Sequence, residues 1–123
     1  MADVEMNVKT IQKYFKLSDY ASSDMRAFQE IVSLFSETAH IQTATSDEFT
    51  GKTEISNFFK VFFGRNEQLK HIMSVRDVAN KYQTEWVVAG LKSDGSLFSL
   101  HGFDYYQFDN AGKISSLKVE VTQ

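Results

Sequence analysis

The chain has 123 residues, of which 42% are hydrophobic and 24% are charged, and its formal net charge at pH 7 is -3. This composition is typical of one globular domain, and it excludes a disordered chain, a collagen-like repeat and a coiled coil. The basic side chains are dispersed among acidic ones, so we expect no nucleic-acid partner.

The sequence contains no cysteine, which excludes disulfides and thiolate metal ligands. Its acidic first residues lack the basic and apolar segments of a signal peptide, and no apolar run approaches the roughly 18 residues of a transmembrane helix. We therefore expect a cytoplasmic protein with no membrane partner, formed by residues 1–123 as a single domain.

Apolar residues at helical spacing predict three helices in the first half of the chain. The first is expected over residues 4–18, and the second from Met25 to Phe35. The third is expected to begin just after Gly51 and to end at Gly64, because glycine readily adopts the positive φ of a helix C-terminal cap.

Near Leu69 the hydrophobic period changes to that of a strand, and β-branched and aromatic residues become frequent. We place strands at residues 69–78, 81–92, 96–109 and 113–121, with a short one at 39–43. Turns that combine Asp or Asn with Gly join the last three strands, as in hairpins. The predicted class is α+β, with helices packed on one face of a curved antiparallel sheet.

Familiar catalytic motifs are missing from the sequence. It has no Gly-rich phosphate loop, no nucleophile elbow and no paired-histidine zinc motif, and its three histidines are far apart. The sequence therefore implies no metal and no cofactor.

Asp104 interrupts an aromatic strand, and because Asp is uncommon in strands its presence needs a reason. In a regular strand Asp104, Tyr106 and Phe108 share one face. Spacing alone leaves open whether that face is buried or whether Asp104 points to solvent.

Four segments, in this order, resemble the nuclear transport factor 2-like superfamily, specifically its SnoaL-like and ketosteroid-isomerase-like branch. They are Tyr14-Phe15, the segment from Ile31 to Phe35, Gly51 with Ile55 and Phe58-Phe59, and the block from Asp104 to Ile114. The resemblance covers about residues 8–120. It implies a cystatin-like cone, in which three helices lie on the concave face of a strongly bent antiparallel sheet around an apolar pocket. It also implies a homodimer formed through the outer face of the sheet.

The resemblance also implies site residues. In enzymes of this branch an Asp on the strand before the final hairpin projects into the pocket, and Asp104 stands at that position. Tyr14 matches a pocket tyrosine of the first helix, with Tyr20 as a competitor. The position of the proton-abstracting carboxylate of ketosteroid isomerases falls on Thr43, which cannot be a general base and so argues against steroid-type isomerisation. Asp47 or Glu48 is a further candidate acid near the predicted pocket mouth, but a solvated loop residue is the simpler interpretation.

His71 and His101 are the other candidate bases, because imidazole exchanges protons near neutral pH. His71 can face either the pocket or the outer side of the sheet. His101 lies three residues before Asp104 and points to the opposite face, unless a bulge at Gly102 changes the alternation.

Three hypotheses follow for function. The first is a pocket protein that binds a small apolar or carbonyl-containing molecule, anchored by Asp104. The second is a cofactor-free isomerase, dehydratase or polyketide cyclase, in which Asp104 acts as acid/base with a histidine. The third is a dimeric interaction module whose cavity is filled by its own side chains. The predicted ligand contacts are Trp86, Phe58, Phe62, Tyr106 and Thr43. In an apolar cavity, loss of solvation should raise the pKa of Asp104.

Overall fold

The structure, a computed structural model, describes residues 4–78 and 81–122. These residues form α1 (Val4–Ser18), α2 (Met25–Ser33), β1 (Phe35–Gln42), β2 (Glu48–Thr50), α3 (Gly51–Arg65), β3 (Asn66–Val78), β4 (Lys81–Lys92), β5 (Leu97–Phe108) and β6 (Ile114–Val121). The predicted α+β class and the separation of helices from the long strands are confirmed.

The strands form one sheet in the order β2-β1-β6-β5-β4-β3. Neighbouring strands are antiparallel except β1 and β6, which run parallel. The prediction of a wholly antiparallel sheet is wrong at this pair. A parallel pair needs a long crossover, and the chain between β1 and β6 contains α3 and four strands, which supplies it.

The second helix is shorter than predicted. It ends at Ser33, and Phe35 is the first residue of β1 rather than the last of the helix. Leu34 closes the helix, since its N–H donates to the carbonyls of Ile31 and Val32 while its own carbonyl accepts the N–H of Ile114 at 2.9 Å. That last bond ties the chain to β6 and starts the strand. The three-residue strand β2 was not predicted, because it is too short to show alternation.

The C-terminus of α3 also differs from the prediction. Gly64 does not cap the helix; it lies inside it, and the positive φ of 85° occurs instead at Gly51, the first helical residue. Asn66 follows the helix in an extended conformation, and its side-chain amide donates to the carbonyl of Phe62 at 2.8 Å. Asn66 therefore satisfies a terminal carbonyl of the helix and begins β3 directly, three residues before the predicted start.

All three helices contribute to a core on one side of the sheet. The core contains Ile11 and Phe15 from α1, Ile31 from α2, Ile55 and Phe59 from α3, and Ile41, Tyr106 and Leu117 from the sheet, none more than 5% exposed. Burial of these apolar side chains is the main stabilising contribution. No helix among the described residues has both the length and the apolar character needed to cross a bilayer.

Candidate functional site

A cavity of about 560 Å³ lies between α1, α3 and the helix-facing side of the sheet. Most of its walls are aromatic and aliphatic side chains from all the long elements except α2. The loop after β1 and the exposed Arg65 complete its rim; the loop residues are Thr43, Ala44, Thr45 and Asp47. The cavity is therefore an apolar space with charged groups only at a few positions.

Asp104 lies on the wall of this cavity and is 3% exposed. Its Oδ1 accepts a hydrogen bond of 2.9 Å from the indole Nε1 of Trp86, and its Oδ2 accepts one of 2.8 Å from the hydroxyl of Tyr106. The predicted alternation is confirmed, since Asp104 and Tyr106 share the buried face of β5. The alternative in which Asp104 points to solvent is excluded.

Burial raises the pKa of Asp104 to about 7, although the hydrogen bonds from Tyr106 and Trp86 oppose this shift by stabilising the carboxylate. The predicted direction of the shift is confirmed. Near neutral pH, Asp104 is therefore present in both protonation states. The neutral acid can donate a hydrogen bond, and the pair of states can exchange a proton with a bound molecule.

Tyr14 reaches the same cavity from α1. Its ring lies 6.0 Å from the ring of Tyr106, centroid to centroid, and its hydroxyl has no hydrogen-bond partner in the described part of the chain. Burial raises the pKa of Tyr14, and the charge of Asp104 raises it further. Tyr14 thus remains a protonated donor at physiological pH. Tyr20, its competitor in the sequence, is 55% exposed and does not line the cavity.

His71 faces the cavity from β3. Its side chain contacts Asp19, which lies in the loop after α1. Nδ1 of His71 lies 2.8 Å from Oδ1 of Asp19, and the backbone N–H of His71 donates to the same oxygen at 3.0 Å. Burial lowers the pKa of His71, whereas the hydrogen bond and the charge of Asp19 raise it. No local sequence pattern identifies Asp19 as the partner of His71, because the two residues are 52 positions apart.

His101 lies on the opposite face of the sheet and does not line the cavity. Its Nε2 is 2.6 Å from Oε2 of Glu85, and its Nδ1 is 2.8 Å from Oγ1 of Thr122. The pairing of β5 with β4 continues without a bulge through Gly102. The candidate pair of His101 with Asp104 is therefore wrong, because regular alternation separates the two side chains.

Four of the five predicted ligand contacts line the cavity. They are Trp86, Phe58, Phe62 and Thr43. The rings of Phe58 and Phe62 are stacked with their centroids 6.2 Å apart. Tyr106 does not line the cavity; it acts on the site through its hydrogen bond to Asp104. Asp47 lines the exposed rim and accepts a hydrogen bond from Thr45 at 2.9 Å.

Trp86 fits against the sheet because its cross-strand neighbour is Gly102. A Cβ atom added at Gly102 would lie 2.5 Å from Cζ2 of Trp86 and 2.2 Å from the backbone oxygen of Glu120. A glycine inside a strand commonly marks such a close approach. Gly102 therefore gives the indole the room that its hydrogen bond to Asp104 requires.

The outer face of the sheet carries a second, more open depression of about 630 Å³. Exposed apolar side chains also lie on this face: Ile72 at 78%, Val87 at 47% and Leu97 at 82% exposure. Among residues 4–78 and 81–122, no group of three His, Asp or Glu side chains is placed to hold a metal ion.

No protein-family model matches the sequence, and no curated protein matches it. Several solved structures do match this chain. A nuclear transport factor 2-like protein of unknown function from Exiguobacterium sp. 255-15 superimposes with a TM-score of 0.84 at 28% identity, covering 93% of this chain and 98% of that one. The Mycobacterium tuberculosis protein Rv0760c, solved in complex with estradiol-17β-hemisuccinate, gives 0.78 at 14% identity, with coverages of 93% and 92%.

A Bacillus subtilis protein provisionally described as an isomerase gives a TM-score of 0.79 at 14% identity, covering 99% of this chain and 90% of that one. At 14% identity the last two comparisons bear on the fold alone. The Exiguobacterium likeness extends over nearly the whole of both chains, and it includes the same three helices packed on a mixed six-stranded sheet. The chain belongs to the nuclear transport factor 2-like superfamily.

Proposed function

We propose that this chain is a pocket protein of the SnoaL-like and ketosteroid-isomerase-like branch, which binds a small, largely apolar molecule that carries a carbonyl group. The observation that carries the proposal is a buried carboxyl group, that of Asp104, on the wall of an aromatic cavity of about 560 Å³. Ligand pockets commonly have volumes of about 300 to 1,000 Å³ and apolar walls with a few polar groups.

The chemistry of the wall favours a carbonyl ligand. Neutral Asp104 and the unpartnered hydroxyl of Tyr14 are both hydrogen-bond donors, and a carbonyl oxygen accepts two such bonds. The steroid ester bound by Rv0760c and the description of the Bacillus protein as an isomerase support a site of this kind in the same fold. The open cavity counts against the hypothesis of an interaction module with a filled interior.

Binding can be tested with 1-tetralone and its hydrocarbon counterpart tetralin. The chain has one Trp, so the indole N–H of Trp86 gives a single NMR signal that reports directly on the cavity. We expect 1-tetralone to bind about 3- to 10-fold more tightly than tetralin, since a net hydrogen bond contributes about 0.5 to 1.5 kcal/mol.

The preference for the ketone should shrink in Asp104→Leu, which removes the carboxyl group and leaves the Tyr14 hydroxyl as the remaining donor. It should persist in Glu85→Gln, a matched change of a carboxylate on the outer face. If neither compound shifts the Trp86 signal up to its solubility limit, the binding proposal is wrong.

An acid/base enzyme of the isomerase, dehydratase or polyketide-cyclase type is the second candidate, with Asp104 and His71 as catalytic residues and Tyr14 as a donor to the substrate. The observation that favours it is that two groups able to exchange protons, Asp104 and His71, line one cavity. Exchange of the hydrogens next to the carbonyl of 1-tetralone for deuterium measures such proton transfer. Acceleration by the wild type but not by Asp104→Asn would establish the activity, and the absence of acceleration by the wild type would exclude it for this ketone.

We further propose that residues 1–123 act as a single SnoaL-like domain in the cytoplasm and form a homodimer through the outer face of the sheet. The lack of cysteine supports a reducing compartment.

The homodimer interface is supported by apolar side chains exposed on the outer face of the sheet, those of Ile72, Val87 and Leu97. Sedimentation equilibrium should give twice the mass of the chain, and Ile72→Lys together with Leu97→Lys should give the monomer; a monomeric wild type contradicts the dimer.

A further inference from the structure

The hydrogen bonds of His71 fix which of its two nitrogens is available to a ligand. Oδ1 of Asp19 accepts from the backbone N–H of His71 and lies 2.8 Å from Nδ1. A carboxylate can only accept, so Nδ1 must carry the hydrogen. In the neutral ring Nε2 then bears a lone pair.

No group in the described part of the chain donates a hydrogen bond to the Nε2 lone pair of His71. His71 lines the cavity, and Nε2 has no hydrogen-bond partner among the described residues. The ring is held on its other sides by Phe15, with centroids 5.3 Å apart, and by Trp86, with centroids 6.5 Å apart. Nε2 is thus an oriented acceptor on the cavity wall.

We propose that Asp19 is a positioning residue that sets His71 as a hydrogen-bond acceptor for the ligand, and that the ligand therefore carries a hydroxyl group as well as a carbonyl. This inference rests on the proposed function, because it adds a second polar contact to a ligand held at Asp104. The substrate class is then a rigid apolar hydroxy-ketone, with its two polar groups at different ends.

Trp86 lies between the two polar side chains that would hold those groups. Its indole lies against the His71 ring, while its Nε1 donates to Asp104 at 2.9 Å. His71 and Asp104 are therefore on either side of the indole along one wall of the cavity. A flat, fused-ring body that covers the indole can place a hydroxyl at one end and a carbonyl at the other, as in 6-hydroxy-1-tetralone.

The competing explanation is that Asp19 only fastens the loop after α1 to β3 through the backbone N–H of His71. The protonation of the ring separates the two explanations. In ¹⁵N NMR of the imidazole above its titration range, we expect the wild type to carry its hydrogen on Nδ1, and Asp19→Ala to move it largely to Nε2. A wild-type ring with the hydrogen on Nε2 overturns the proposal. The wild-type measurement decides between the two explanations even where Asp19→Ala fails to fold.

The ligand class is tested by comparing 6-hydroxy-1-tetralone with 1-tetralone in the Trp86 NMR titration. We expect the hydroxyl to tighten binding to the wild type by about 3- to 10-fold. His71→Phe should abolish this gain, so that the variant binds the two ketones equally well, because a phenyl ring keeps the packing against Phe15 but offers no acceptor. His101→Phe, on the outer face, is the matched control and should keep the gain.

The outcomes separate the two proposals. If 1-tetralone binds through Asp104 but the hydroxyl adds nothing, or adds as much in His71→Phe, the inference about His71 and Asp19 is wrong and the pocket function stands. If neither tetralone binds the wild type, the pocket function fails and the ligand class fails with it.

Discussion

Trp86 and Asp104 are diagonal neighbours on β4 and β5, joined by a 2.9 Å hydrogen bond from the indole Nε1 to Oδ1. Directly opposite Trp86 stands Gly102, so the indole lies over a position with no side chain. The bond fixes the plane of the indole and one oxygen of the carboxyl group together. The shape and the polarity of this cavity wall are therefore set by the same pair of residues.

Gly102→Ala should destabilise the protein and move Trp86. The added Cβ would meet the Glu120 backbone oxygen at 2.2 Å and Trp86 Cζ2 at 2.5 Å, and overpacking of this kind costs roughly 1 to 3 kcal/mol. Denaturant unfolding measures the loss. Gly64→Ala is the matched control, because a Cβ there meets nothing within 4 Å and the helical site should gain about 0.5 to 1 kcal/mol. Wild-type stability in Gly102→Ala would contradict the close approach.

The contribution of Asp104 to stability should fall as the pH rises from 5 to 8. The pKa of Asp104 is raised by burial to about 7, so the folded state holds the proton more tightly than the unfolded chain does. This contribution is then highest below the ordinary pKa of Asp and is lost progressively up to about pH 7, by about 2 to 3 kcal/mol between pH 5 and 8. Unfolding free energies of the wild type and of Asp104→Asn at several pH values measure this loss.

Asp104→Asn supplies the control for that pH dependence, because an amide does not titrate. The difference in unfolding free energy between wild type and variant should change with pH in the range from about 4 to 7 and be constant above it. A difference that stays constant from pH 5 to 8 would show that Asp104 ionises as freely in the folded protein as in the unfolded chain.

Binding of 1-tetralone should weaken as the pH rises through about 7, because ionised Asp104 no longer donates a hydrogen bond. Of the other groups that face the cavity, burial lowers the pKa of His71 and raises that of Tyr14. Titrations at pH 6 and 8.5 check the prediction. Asp104→Asn should show equal affinities at the two pH values, and a wild type with equal affinities would exclude neutral Asp104 as the donor.

Much of the fold was predictable because periodicity is a local property of the sequence. The strand predicted at 81–92 is β4, and the alternation that put Asp104 and Tyr106 on one face is the one observed. Phe35 was misassigned because an apolar residue fits the end of an amphipathic helix and the start of a buried strand equally well. The chain changes direction at Leu34 because of a contact with β6, which no local pattern contains.

The site was predictable only in part, for a related reason. Asp104 is recognisable in the sequence because a carboxylate is unusual in a strand. Asp19 looks like an ordinary loop acid in the sequence, and only the folded structure shows its contact with His71. For the same reason the sequence does not decide whether His71 faces the cavity or the outer side of the sheet, and it does not exclude His101 as a partner of Asp104. Contacts between distant segments decide which polar groups meet, and one sequence does not record them.

A further long-range contact, between Asn7 and Tyr82, should contribute to stability. Asn7 is 1% exposed on α1, and its side-chain amide lies 3.1 Å from the hydroxyl of Tyr82 on β4, which is 4% exposed. Tyr82→Phe would leave the buried amide without this partner, at a cost of about 1 to 3 kcal/mol. Replacing both residues, as Asn7→Leu with Tyr82→Phe, removes both polar groups and should cost less than the sum of the two single changes. Unfolding free energies of the four proteins in this cycle measure the coupling, and strictly additive losses would show that the hydrogen bond contributes nothing to the attachment of α1 to the sheet.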